Sequence, residues 1–383
     1  MSSFRRNKVL NEQLMYNQIG IGYWSLVISL FVMAILCDYK QNTIIKFNRN
    51  KKYRVNVILL RIAFFIMWFM SAFRGINITN DTAAYLRTYR NISAYGMAGE
   101  LRMEKGFVTL NAVLARIFPA GDIGFYVLLF ISSVLIYYVL EQWIEKNASS
   151  YGVCILFFYF MCNGGYMSAV RQSMACAIVI IAISALRKGK KIRFLFLVVV
   201  ASLFHKSALI SLVFLLFYKK VFSLKRAAVI LGMGISFLAL KFPVRILNSI
   251  LDGKSSYLQV TGGGNILSVL VNVGLYSAIL ILNIIEKKKK NTQNSFFAYC
   301  ITFAIICSFA SYSAPVFSRF TSYFSIIGIP YIANVLDGIK NKRIALLLKT
   351  ILISSIWIYS LSVLVYRPEW QHLWPYQFYW NSL

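Results

Sequence analysis

Carboxylates are scarce in this chain, 12 Asp and Glu against 41 Lys and Arg, and three of them fall in one polar stretch between Arg74 and Lys105. Asp81, Glu100 and Glu104 sit there beside Arg74, Arg87, Arg90 and Arg102. A carboxylate near arginine can take a proton from a hydroxyl while the guanidinium binds an anion. Further along, Asn163, Arg171 and Gln172 mark a turn, His205 precedes Lys206-Ser207, and Arg319 follows Pro315-Val316-Phe317-Ser318. Arginine grips phosphate through a planar fork. Arg74, Arg171 and Arg319 on one membrane face therefore point to a diphosphate head group. Snorkelling to lipid phosphates accounts for the same arginines without a substrate.

Asp81, Tyr85 and Tyr89 are spaced by four and share a helix face. That face suits a sugar, with rings stacking and the carboxylate accepting hydroxyl protons. A plainer account has Asn80 or Asp81 capping a helix that starts at Thr82. Glu104 is the other carboxylate candidate, against a surface charge paired with Arg102 or Lys105. His205 reads as general base, phosphate ligand or hairpin cap.

The elements that must carry these residues are membrane helices. Of 383 residues, 59% are hydrophobic and 14% charged, and apolar runs of about 18–20 residues recur end to end. The expected fold is an all-α polytopic membrane protein, one embedded domain over 1–383 with about twelve membrane segments. The net charge of +29 is read as basic loops on the cytoplasmic side, not as a nucleic-acid surface. The six cysteines lie mostly in apolar runs without a Cys-x-x-Cys pair, and two histidines are too few for a metal site. No metal or cofactor is expected.

Arg5, Arg6 and Lys8 precede a first helix at Ile19–Cys37, read as uncleaved. The basic loop from Lys40 to Arg54 is cytoplasmic, so Val55–Phe73 delivers 74–122 to the extracytoplasmic side. Phe107–Phe118 is an amphipathic piece ended by Pro119; Ile123–Leu140, Tyr151–Ser168 and Gln172–Leu186 then cross. Phe194–Phe204 and Ala208–Phe217 are too short to cross and form a hairpin or re-entrant pair tipped by His205. Lys219, Lys220, Lys225 and Arg226 return the chain to the cytoplasmic side. Ala227–Phe242 leads to a second extracytoplasmic loop, 243–265. Ile266–Ile285, Phe296–Pro315, Phe320–Val335 and Ala345–Tyr366 follow, and the aromatic residues from Trp370 to Trp380 suit a membrane–water boundary.

Phe73-Arg74-Gly75, Asn80-Asp81-Thr82 with Tyr85, and Glu104-Lys105-Gly106-Phe107 with Leu110 resemble the EpsG/Wzy-type polysaccharide polymerases. Val170-Arg171-Gln172-Ser173, Phe204-His205-Lys206-Ser207-Ala208, and Ser318-Arg319-Phe320 with Tyr323-Phe324 continue the resemblance in order. It spans residues from about 20 to 340. The resemblance implies a bacterial inner-membrane glycosyltransferase that moves a glycan from undecaprenyl diphosphate onto another lipid-linked repeat unit at the periplasmic face. The product would be O-antigen first, with capsule or exopolysaccharide as alternatives. Arg74, Arg171 and Arg319 would bind the diphosphate, with Gln172 and Tyr323 beside them. Tyr85 would position sugar, and Asp81, Glu104 or His205 would take the proton. Partners would be lipid-linked oligosaccharides, membrane lipids and a chain-length regulator. A lipid-linked oligosaccharide flippase and a membrane glycan O-acyltransferase are the competing readings. The first should show interrupted helices in both halves. The second leaves Arg74–Lys105 without a use.

Overall fold

A helix satisfies every backbone N–H and C=O within itself, which is the condition for crossing hydrocarbon. The structure, a computed structural model, describes residues 23–39, 43–48, 51–100, 102–119, 121–239, 266–285, 292–312, 314 and 316–381. The basic N-terminus and the expected loop 243–265 lie outside the described residues. The chain folds as two compact units, Met1–Ala177 with Lys349–Leu383, and Ile178–Leu348.

In the first unit, α1 (Tyr23–Tyr39) is followed by a small antiparallel hairpin, β1 (Ile44–Asn48) and β2 (Lys51–Arg54), in what was expected to be plain loop. Helix α2 (Val55–Ala72) then runs up to the polar stretch. Two shorter helices, α3 (Thr82–Tyr95) and α4 (Lys105–Ile117), pack on each other. They are amphipathic: Tyr85, Leu86, Tyr89 and Ile92 of α3 are buried, as are Phe107, Val108 and Leu114 of α4. Each such side chain removed from water contributes about 1.5–3 kcal/mol.

Helix α5 (Ile123–Asn147) returns alongside α2. The two are joined by a Ser71–Ser133 hydroxyl bond of 2.8 Å and by ion pairs from Arg61 to Glu141 (3.4 Å) and Glu145 (3.5 Å). Gly124, near the start of α5, lets Tyr89 come so close that a Cβ there would overlap its hydroxyl. That hydroxyl donates to the Phe118 carbonyl at 3.3 Å.

Helix α6 (Tyr151–Phe157), a widened π stretch (Phe158–Asn163) and α7 (Gly164–Ser168) form one continuous rod. Asp38 at the end of α1 caps its start, accepting from Ser150 Oγ at 2.5 Å and Gly152 N at 3.0 Å. At the far end of the π stretch, the Tyr137 hydroxyl donates to Asn163 Oδ1 at 2.5 Å. Helix α8 (Val170–Arg187) begins after a one-residue break at Ala169.

In the second unit, α9 (Lys191–Ser202) turns at His205 into a 3-10 helix (Lys206–Val213) that folds back on it and ends in α10 (Phe214–Phe217). The expected hairpin is there, with a tighter second arm. Helices α11 (Leu224–Ala239), α12 (Ile266–Ile285), α13 (Thr292–Ala310) and α14 (Val316–Asp337) follow. Phe303 of α13 stacks on Phe324 of α14 with centroids 5.2 Å apart. The last α-helix is α15 (Lys342–Tyr366), most of which, from Lys349 on, belongs to the first unit.

Five helices, α2, α5, α8, α12 and α15, are long and apolar enough to cross a membrane. Among the described residues the other expected segments are shorter or interrupted, as in Tyr23–Tyr39 and Lys206–Phe217, or more polar, as in α14 with Ser318, Arg319, Thr321 and Ser322.

Candidate functional site

Glu104 stands just before α4 in extended backbone and makes no side-chain cap bond to that helix. Its carboxylate instead accepts a charge-assisted hydrogen bond from Arg171 Nη1, in the first turn of α8. Side-chain exposure is 20% for Arg171 and 11% for Glu104, so water screens the pair little. The plainer reading pairs Glu104 with Arg102 or Lys105; the ion pair it makes here is with Arg171. The Arg171 guanidinium also lies 5.9 Å from the centre of the Tyr85 ring. Burial raises the Tyr85 phenol above its ordinary value, and Arg171 pulls it back. Three residues from three separate segments thus meet. Arg171 Nε is buried with no hydrogen-bond partner among the described residues.

Arg74 has a different fate. It is 1% exposed. Its Nη1 donates to the Ser71 carbonyl at 2.5 Å, its Nη2 to the Met167 carbonyl at 2.8 Å, and its Nε to Thr82 Oγ1 at 3.1 Å. The two carbonyls belong to the last turns of α2 and α7, the ends that carry partial negative charge. Helix ends, not a carboxylate, solvate this cation. A cavity of about 10 Å³ beside it, walled by Ser71, Ser132, Ser133 and Ser173, is near the least that holds one water. The guanidinium therefore braces two helix ends, and its donors point at protein rather than outward.

Asp81 is exposed and sits at the cap position of α3, yet its side chain makes no cap bond. Its Oδ2 accepts from Ser168 Oγ at 3.2 Å, which ties it to the break between α7 and α8. The capping account of Asp81 is thereby replaced by a cross-chain contact three residues from Arg171. Tyr85 and Tyr89 are 5% and 0% exposed, so they support α3 from inside instead of offering an open ring surface. Gln172 is buried within α8.

The aromatic segment after α15 takes up a role that sequence reasoning missed. It folds back onto the polar stretch. Gly75 N donates to the Gln377 carbonyl (2.8 Å), Thr79 N to the His372 carbonyl (3.0 Å), and Tyr379 N to the Phe73 carbonyl (3.0 Å). The buried Tyr376 hydroxyl donates to the Met70 carbonyl. Asn80 Oδ1 meets His372 Nδ1 at 2.5 Å, and Asn80 Nδ2 donates to the Trp370 carbonyl at 3.1 Å.

The second unit holds its own polar cluster. His205 is 6% exposed, and its Nδ1 lies 2.5 Å from Ser207 Oγ. Ser207 Oγ lies 3.1 Å from the hydroxyl of the fully buried Tyr323. His205 also caps the 3-10 helix, accepting from Ser207 N at 3.3 Å. Arg319 stands one turn before Tyr323 on α14, half-buried. Ser207, the link between His205 and Tyr323, was not singled out from sequence. Among the described residues no three His, Cys, Asp or Glu side chains gather as a metal-ligand set.

No curated protein and no solved structure matches the chain. The profile of the EpsG family matches residues 57–378. That range takes in Arg74, Asp81, Glu104, Arg171, His205 and Arg319, and the strap as far as Phe378. Its coverage of well over half the sequence settles the affiliation: this chain is a membrane protein of the EpsG family.

Proposed function

We propose that this protein is a glycosyltransferase that polymerises surface polysaccharide. It moves a glycan from undecaprenyl diphosphate onto a hydroxyl of another lipid-linked repeat unit, at the outer face of the bacterial cytoplasmic membrane. The observation that carries this reading is the Glu104–Arg171 ion pair beside Tyr85, a proton acceptor and an anion binder in contact.

In the reaction, the acceptor hydroxyl oxygen bonds to the anomeric carbon while the bond from that carbon to the diphosphate oxygen breaks. The diphosphate leaves with the electron pair, and the hydroxyl proton passes to a carboxylate. Arg171 binds the diphosphate and stabilises the charge that develops on it. When the diphosphate takes the guanidinium, the Arg171–Glu104 bond opens and the carboxylate can accept the proton. Asp81, exposed on the same polar stretch, orients acceptor hydroxyls. Arg74 holds the ends of α2 and α7, so it positions the site without touching substrate. From motif order alone, Arg319, His205 and Tyr323 are assigned to the same activity, Arg319 as a diphosphate binder. The outward placement of the polar stretch rests on the basic loops.

Deleting the gene and running surface polysaccharide on a gel tests the class of activity. Loss of a polymerase leaves single repeat units. Loss of a flippase leaves none outside, and loss of an acyltransferase leaves a full ladder of altered mass. Complementation with Arg171→Ala or Arg319→Ala should leave single units at normal protein level. Normal ladders from both variants would remove the diphosphate clamp.

A further inference from the structure

The second unit contains a groove that the polymerase reading does not use. It lies between α10, α11 and α13 and encloses about 520 Å³. Arg226, Ile230 and Gly234 line one face of α11 at four-residue spacing, charged at the helix start and apolar below. Phe303 and Ile306 of α13 face them, and a Cβ on Gly234 would meet the Ile306 side chain, which closes the floor. From Arg226 to Gly234 the groove runs about 12 Å along the helix axis. Its mouth is marked by Tyr299, whose hydroxyl donates to the Val221 carbonyl at 3.1 Å, and by Lys220.

The charge at that mouth is one-sided. Lys219, Lys220, Lys225 and Arg226 fall within eight residues, all exposed, and among the described residues none is in an ion pair. Lys225 and Arg226 occupy the first turn of α11, which holds no acidic residue. A helix N-terminus carries partial positive charge and favours anions there. Arg226 Nη1 donates to the Val221 carbonyl at 3.2 Å, and an added anion would offset the remaining repulsion at that end. An apolar channel continuing from a cationic mouth has the chemistry of one acyl chain below one phosphate. The basic-loop rule puts this end at the cytoplasmic leaflet, whose surface is anionic.

We propose that this groove is a binding site for an anionic diacyl phospholipid. One chain lies along Ile230, Phe303 and Ile306, and the phosphate sits between Lys220, Arg226 and the start of α11. The occupant is a diacyl lipid of the cytoplasmic leaflet, where the basic-loop rule puts the mouth. The site stands on charge and shape alone, and it survives if the polymerase reading fails.

The test is native mass spectrometry of the full-length detergent-solubilised protein, titrated separately with phosphatidylglycerol and phosphatidylcholine. Phosphatidylglycerol should bind at least about tenfold tighter, and Lys220→Gln with Arg226→Gln should weaken it by about 30-fold, at the usual contribution per basic residue near a membrane surface. Lys188→Gln with Lys190→Gln, basic residues of another loop, should change nothing. Leu216→Trp, at a groove residue that is 71% exposed and so open to replacement, should fill the groove and displace the lipid. Ile230→Trp gives the same readout from the opposite wall. Equal affinity for the two lipids overturns the proposal. So does loss on charge removal with full binding in both tryptophan variants, which describes diffuse surface attraction. A dimer that buries the groove in place of lipid overturns it as well.

Discussion

The Glu104–Arg171 pair allows catalysis and scaffolding to be separated by magnitude. If the pair only ties α4 to α8, its loss is a stability effect. A hydrogen bond to a charged group contributes about 1.5–3 kcal/mol. Glu104→Gln keeps an oxygen that the guanidinium can donate to, so its cost lies near the lower end, about 1.5 kcal/mol. A protein carrying that loss stays folded in detergent with a slightly lower melting midpoint. If Glu104 takes the acceptor proton, the same substitution slows transfer by about 10²–10⁴, which is about 2.7–5.5 kcal/mol of barrier at ~1.36 kcal/mol per tenfold. The expected result is a near-normal melt together with a ladder collapsed to one or two repeats. The decisive variant exchanges the partners, Glu104→Arg with Arg171→Glu. It restores the ion pair and most of the stability but places each charge on the wrong element for chemistry, so the ladder stays collapsed. A normal ladder from the exchanged pair would refute the catalytic assignment and leave a structural strut.

Three further outcomes follow from packing and charge. Gly124→Ala drives a methyl into the Tyr89 hydroxyl and ring edge and should cost about 1–3 kcal/mol in a thermal melt, and adding Tyr89→Phe, which removes the nearer of the two clashing atoms, should recover part of it. Arg90 donates to both oxygens of Asp122 at 2.9 and 2.6 Å and holds its pKa below the ordinary 3.8. A depressed carboxylate stabilises fully above its unfolded value and loses that contribution as pH falls through the folded one. Protection factors in α3, with the intrinsic exchange rate divided out, should therefore fall below about pH 4, and Asp122→Asn should remove that acid step. A stop codon after Tyr366 removes every hydrogen bond of the strap. It should abolish the ladder and expose the 73–82 loop to protease while α2 and α5 remain protected.

Five of the roughly twelve expected membrane segments, α2, α5, α8, α12 and α15, were legible because apolar length is a local property, and so were the His205 turn and the amphipathy of α4. The Glu104–Arg171 pair was not, since nothing in either local pattern specifies a partner 67 residues away. Arg74 misled for a related reason. From sequence it has the chemistry of an anion ligand, but carbonyls at two helix ends consume its donors, and carbonyls carry no sequence signature. Tyr85 and Tyr89 were correctly placed on one face of α3, yet periodicity does not say whether that face looks inward or outward. Their burial follows from α4 packing against them. The aromatic segment looked like a membrane-surface belt because composition reports the affinity of indole and phenol rings, not the β-like backbone pairing that fixes Phe378 opposite Arg74.

The strap also sets an order of events during synthesis. The loop at Phe73–Asn80 leaves the ribosome early, but its hydrogen-bond partners from Trp370 to Tyr379 are made about 300 residues later, a delay of roughly 15–60 s at ~5–20 residues per second. Through that interval the nascent loop lacks its cover, and Gly75 and Thr79 have only water or translocation machinery to donate to. The Phe73–Asn80 loop is thus covered last, after the helices between it and the strap have been made.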